Sequence, residues 1–159
     1  MSEDADLVAG MPCDQTLLAD LGRVVWAAAR LHAVVRDALN AIDGVPADDS
    51  FSEHTLGQAI AQLEQRARRL PPPARSEVIT WCQTVGRLAK NARDQVMHAI
   101  TYTDPDGRQA LMTNDHSPPG RFLVPELRQV AGRLVHASTT LLRPPYDPPA
   151  QPKALEPAA

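Results

Sequence analysis

From Asp14 to Ile42 the apolar residues recur as Leu17/Leu18, Leu21, Val24/Val25, Ala28, Leu31, Val34/Val35, Ala38/Leu39 and Ile42, three and four residues apart throughout. That period matches 3.6 residues per turn, so the segment can bury one stripe only as a helix about eight turns long. Asp14 offers a carboxylate to the first free N–H groups, and Gly44, just before Pro46, is the natural stop. A helix of this length needs partners for its whole stripe, which commits the chain to a helical domain.

Two further segments repeat the pattern. One runs from about Glu53 to Leu70, with Leu56, Ile60, Leu63, Ala67 and Leu70 on a stripe, Ser52 as its expected cap and Pro71 to Pro73 as its end. The next opens near Ala74 and carries Val78, Trp81/Cys82, Val85, Leu88/Ala89, Ala92, Val96 and Ala99/Ile100 inward to about Thr101, with Gly86 tolerated inside it. Residues 103–120 collect Asp-Pro, Asp-Gly and Pro-Pro-Gly turn signals and read as an ordered loop. A fourth helix starts near Pro125 and shows Leu127, Val130/Ala131, Leu134 and Leu141. The expected fold is all-α, an antiparallel bundle of four main helices over residues 14–142, with a flexible N-terminus (1–13) and a proline-rich, disordered tail (143–159).

Composition agrees with this reading. Of 159 residues, 43% are hydrophobic, 22% charged and only 4% aromatic, and 24 are alanine, which suits helices packed closely through small side chains. Cys13 and Cys82 belong to no Cys-x-x-Cys pair and read as reduced thiols. The acidic start, MSEDADLVAG, lacks the basic and then apolar order of a secretory signal, so a soluble, cytoplasmic protein with no membrane contact is the expectation. The net charge of −3 is uneven: residues 1–50 hold three Arg against nine Asp/Glu, whereas residues 51–100 hold seven Lys/Arg against four. An anion site therefore belongs in the middle third.

Within that third the informative stretch is Arg87 to Tyr102. On a wheel with Val85 at zero, Arg87, Asn91, Asp94 and His98 fall at about 180–240°, opposite the apolar stripe, and Tyr102 follows a turn later. Arg93 sits near 80°, at the edge of the core. A polar stripe of this kind is also what any solvated helix face displays.

The stretch Arg93-Asp94-Gln95-Val96-Met97-His98 resembles the R-x4-6-H signature of the HEPN superfamily, whose residue after the Arg is commonly Asn, Asp or His. The small Ala99 after the His, the turn-rich loop and the last helix add to the likeness, which covers roughly residues 14–142. The resemblance implies a metal-independent endoribonuclease of toxin or defence type, or a non-catalytic RNA-binding relative, working as a homodimer with a shared cleft and needing no cofactor. It would make Arg93 and His98 catalytic and leave Arg87, Asn91, Asp94 and Tyr102 to bind RNA. A cognate antitoxin or a nucleotidyltransferase is the kind of partner it implies. Some members carry a Tyr two residues after the His; here that position is Ile100, which speaks against modification at that site. The alternative class is a helical adaptor or antitoxin-like interaction protein.

The remaining candidates have plainer readings. His32 and His136 read as packed or interface histidines, His54 as first-turn surface and His116 as a loop residue, with no metal-ligand spacing among them. Trp26 and Trp81 read as core or dimer-interface residues, Gln65 to Leu70 as a solvated basic helix end, and Cys82 as no nucleophile.

Overall fold

The computed structural model describes residues 14–44, 54–103, 105–113 and 121–141. The expected N-terminal segment and proline-rich tail, with Cys13, Ser52, His116 and the 45–53 connection, lie outside them.

Helix α1 spans Gln15–Asp43 and is capped as expected. The Asp14 carboxylate accepts the N–H groups of Thr16 (2.8 Å) and Leu17 (3.1 Å), and Gly44, at φ 67°, closes the other end in the left-handed conformation. Helix α2 spans Leu56–Ala67, shorter at both ends than the expected segment from about Glu53 to Leu70. Its cap is Thr55 rather than Ser52. Thr55 Oγ1 accepts the Gln58 N–H at 3.3 Å and Gln58 Oε1 accepts the Thr55 N–H at 2.8 Å, a reciprocal box that satisfies two donors at once.

The prolines start the next helix instead of ending the last one. Pro71 caps α3 (Pro72–Trp81), and Pro72 and Pro73 fill its first turn, where a missing N–H costs no hydrogen bond. A π-helical turn, Cys82–Gly86, joins α3 to α4 (Arg87–Met97), making one interrupted rod. Gly86 is buried there, and a Cβ on it would lie 2.7 Å from the Trp81 ring. This glycine is required by packing, not merely tolerated, because the indole fills the space that a side chain would take.

The rod stops at Met97, four residues earlier than the apolar pattern implies. Ile100–Thr103 is strand β1, paired antiparallel with β2 (Gln109–Met112) through a turn with Gly107 at φ 79°, and β2 pairs antiparallel with the two-residue β3, Arg121–Phe122. Thr103 and Gln109–Met112 thus belong to a small three-stranded sheet where an ordered loop was expected, and the fold is mostly helical rather than purely so. Ile100, Thr101 and Thr103 are β-branched and Tyr102 is aromatic, side chains that suit a pleated surface better than a helix end. Helix α5 then spans Val124–Leu141, with Glu126 Oε2 accepting the Leu123 N–H at 3.0 Å ahead of its first turn.

The core lies between α1 and α5, whose contact is the most extensive in the molecule, and is closed by α2 and the α3–α4 rod. Val24, Leu31 and Val35 of α1 belong to one buried cluster with Leu127 and Leu134 of α5 and with Leu63, Val78 and Cys82. The helix directions differ from the expected up-and-down order. Asp20 near the start of α1 pairs with Arg128 near the start of α5, and Asp43 at the end of α1 pairs with Arg66 and Arg69 at the end of α2. Helices α1, α2 and α5 therefore run the same way and only the α3–α4 rod runs against them. Among the described residues, no helix is long and apolar enough to cross a membrane.

Candidate functional site

Helix α4 carries four of the six expected site residues, and a fifth, His98, caps its C-terminal end. Arg93 is half-buried and donates from Nη1 to Asp94 Oδ1 at 2.7 Å, while Lys90 Nζ reaches Asp94 Oδ2 at 2.7 Å from one turn back. Burial alone would raise the Asp94 carboxyl, but the hydrogen bonds and charges of Lys90 and Arg93 outweigh it and hold the group below the usual carboxylate range. Asp94 is ionised at neutral pH and both of its oxygens are engaged. In this geometry it orients Arg93 and Lys90.

His98 caps α4 with φ −103° and ψ 6°, its N–H turned back to Asp94 O at 3.0 Å and its imidazole exposed. Among the described residues, no hydrogen bond joins it to Arg93. Tyr102 does not continue the helical stripe, because α4 has ended; it is half-buried in β1 with Ala110 opposite. Arg87 and Asn91 are exposed on α4, on the side that meets α2.

Around Arg93 the fold gathers basic groups that sequence reasoning did not connect. His32 of α1 is half-buried, and its Nε2 is buried without a hydrogen-bond partner. Burial first, and then the charges of Arg36, Arg93 and His54, push the His32 imidazole below the usual histidine value. Charges from α1, α4 and the residue before the α2 cap thus all reach His32. The signal in the sequence was the i, i+4 pair His32/Arg36 on α1; only the packing shows that Arg93 joins it.

A groove of about 410 Å³ opens between α2 and α4. Ile60 and Cys82 line its apolar part, and Arg87, Lys90 and Asn91 form the α4 wall. Opposite them, Glu64 accepts a hydrogen bond from Gln83 Nε2 at 2.8 Å. The Cys82 thiol is buried, and burial together with the nearby Glu64 pushes it up to about 12, so it is no nucleophile at neutral pH.

A second groove, of about 400 Å³, lies between α4 and α5, lined by Val85, Leu88, Ala89, Arg133 and His136. Leu88, expected on the inner face, is instead 66% exposed here, and His136, expected to be packed or at an interface, is exposed. Trp81 is a core residue whose Nε1 donates to Thr140 Oγ1 at 3.1 Å. Trp26 is not in the core: two residues after the buried Val24, it lies about 160° round α1, 63% exposed, with the Arg30 guanidinium 5.8 Å from its ring centre. Among the described residues, no three His, Cys, Asp or Glu side chains gather as a metal site. In comparisons with known proteins, no family model, no curated protein and no solved structure matches the chain.

Proposed function

We propose that this chain is a HEPN-like RNA-binding protein, and that Arg93 and His98 make it a metal-independent endoribonuclease of toxin or defence type, acting from a homodimer. The observation that carries the reading is the basic region around Arg93 in a chain whose net charge is −3: a half-buried guanidinium oriented by Asp94, which it shares with Lys90, and close enough to lower, with Arg36, the basicity of His32. Cleavage of RNA through its own 2′-OH needs a base for that proton, an acid for the 5′-O leaving group and a cation for the charge on phosphorus. His98 offers an exposed imidazole as proton acceptor and donor, and Arg93 supplies the cation. Pairing two copies would set a second Arg93 and His98 against one phosphate.

The test is incubation of purified protein with total RNA in EDTA. Cleavage is expected, and it should vanish in the Arg93→Ala, His98→Ala double variant. Cleavage at the parent rate by that variant would overturn the reading.

A second reading, a non-catalytic adaptor or antitoxin-like partner, is favoured by the apolar side chains left on the surface of α1. Leu18, Val25 and Trp26 are each 45–63% exposed, more than an isolated helical domain needs. In that case RNA stays intact, and light scattering should still return a mass above the 17.3 kDa monomer.

A further inference from the structure

We infer that the groove between α2 and α4 is a nucleotide subsite that receives a base bearing an exocyclic amino group, with its phosphate on Arg87. The inference rests on the RNA reading above and names where one nucleotide of the substrate sits. Its volume, about 410 Å³, is within the range of small-molecule sites, and its chemistry is divided as a nucleotide requires.

The bottom of the groove is apolar. Ile60 and Cys82 are almost fully buried side chains whose outer atoms form it, and the groove stays open because the α2 positions beside them are Gly57 and Ala61. At Gly57 a Cβ would come within 3.2 Å of Lys90 Cε, so the missing side chain lets the lysine stem lie along the groove and reach Asp94. An uncharged floor flanked by small residues accepts the flat face of a base.

The walls carry opposite hydrogen-bonding character. On α4, Arg87 and Asn91 stand one turn apart, and neither is held by an ion pair or side-chain hydrogen bond among the described residues. Lys90, between them, is committed to Asp94 and adds charge without being free to move far. On α2, Glu64 offers a carboxylate with Oε1 taken by Gln83. Arg87 suits a phosphate oxygen, since its planar fork can bind two oxygens at once. Glu64 accepts from an exocyclic amino group, as on cytosine, and Asn91 both donates and accepts, as an adenine edge requires. Uracil has no amino donor for Glu64. The groove also shares Lys90 with the Arg93 site, so a nucleotide here would be continuous with a phosphate at Arg93.

The experiment is a titration of the full chain with AMP, CMP, GMP and UMP, followed by amide shifts of Gly57, Ala61 and Asn91 in two-dimensional NMR. Saturable shifts are expected for the amino-bearing nucleotides, with UMP about five- to tenfold weaker. Arg87→Ala should weaken binding about tenfold or more, and Ala61→Leu, a helix-compatible substitution on an exposed position, should block it by filling the groove at unchanged melting temperature. Glu64→Gln should narrow the gap between CMP and UMP. Absence of saturable shifts at millimolar nucleotide, equal binding of UMP, or binding that survives both Arg87→Ala and Ala61→Leu would each overturn the inference. Because Arg93 and His98 lie outside the groove, RNA cleavage in EDTA reports on the catalytic reading separately. Nucleotide binding without cleavage would remove the nuclease and leave the subsite, and cleavage without nucleotide binding would do the reverse.

Discussion

Asp20 on α1 and Arg128 on α5 are 108 residues apart in the chain, yet Arg128 Nε donates to Asp20 Oδ2 at 3.0 Å. The carboxylate is fully buried and also accepts from Arg23, while both arginines are mostly exposed and reach in from the surface. Burial alone would raise the Asp20 carboxyl, but the two guanidinium groups outweigh it and hold it below the usual range. This pair sets the N-terminal ends of the two principal core helices side by side.

Asp20→Ala should therefore lower the melting temperature by about 4–8 °C, since it empties a buried position and removes the carboxylate that ties Arg128 of α5 to α1. The pH dependence follows from the sign of the shift. A carboxyl held lower in the folded than in the unfolded chain adds stability that is complete above the unfolded value, near pH 4, and is lost as pH falls through the folded value. Calorimetry between about pH 5 and pH 2.5 should show the parent losing stability more steeply than Asp20→Asn; equal slopes would contradict this.

Gly86→Ala tests the π turn. On helix propensity alone the change should stabilise by about 1 kcal/mol. The new Cβ, however, would lie 2.7 Å from a Trp81 ring that is buried and tied to Thr140. The clash should win, giving a net loss of about 1–3 kcal/mol in urea unfolding. A stabilised variant would mean that the ring has room to move.

His32 predicts a second pH response at milder acidity. Its folded value is lowered, so the unfolded chain binds the extra proton first. Stability from this group is complete above the unfolded value of about 6.5 and declines as pH falls below it towards the folded value. Between pH 7.5 and 5.5 the melting temperature of the parent should fall more than that of His32→Gln. Parallel curves would place the imidazole in a freely solvated setting.

His98→Ala and Arg93→Ala should separate chemistry from folding. His98 is an exposed cap residue, so its alanine variant should melt within a few degrees of the parent yet lose about 10²–10⁴ in RNA cleavage rate. Arg93→Ala should lose cleavage and some stability together, because it removes a half-buried stem and one partner of Asp94. If His98→Ala unfolds, or cleaves at the parent rate, the adaptor reading takes over.

The helices were legible because each sequence-local rule acts within one turn. Asp14 caps α1 through its carboxylate and Gly44 through its missing Cβ, and the three-and-four spacing places Val24, Leu31, Ala89, Ala92 and Val96 in the core. The same locality misled at the ends of elements. Ser52 and Thr55 are both acceptable caps, and only the reciprocal Gln58 contact selects Thr55. The end of the third apolar segment hid a strand, because Ile100 to Thr103 continues the helix pattern by position while its residue types favour pleated pairing. At the candidate site, the sequence singled out Arg93, Asp94 and His98 as neighbours on one helix. It carried no sign that Asp94 would be spent on Arg93 and Lys90, or that His32 and Arg36 would stand near them.

What the sequence by itself determined is the set of rods: four stretches whose apolar period commits them to helices and whose caps delimit them. Only the tertiary structure decided their directions, the sheet that joins α4 to α5, and the company kept by Arg93. Periodicity records which face of a helix avoids water but not which neighbour covers it. That choice is made by pairs such as Asp20 with Arg128 and Asp43 with Arg66, whose energy exists only once distant segments have met.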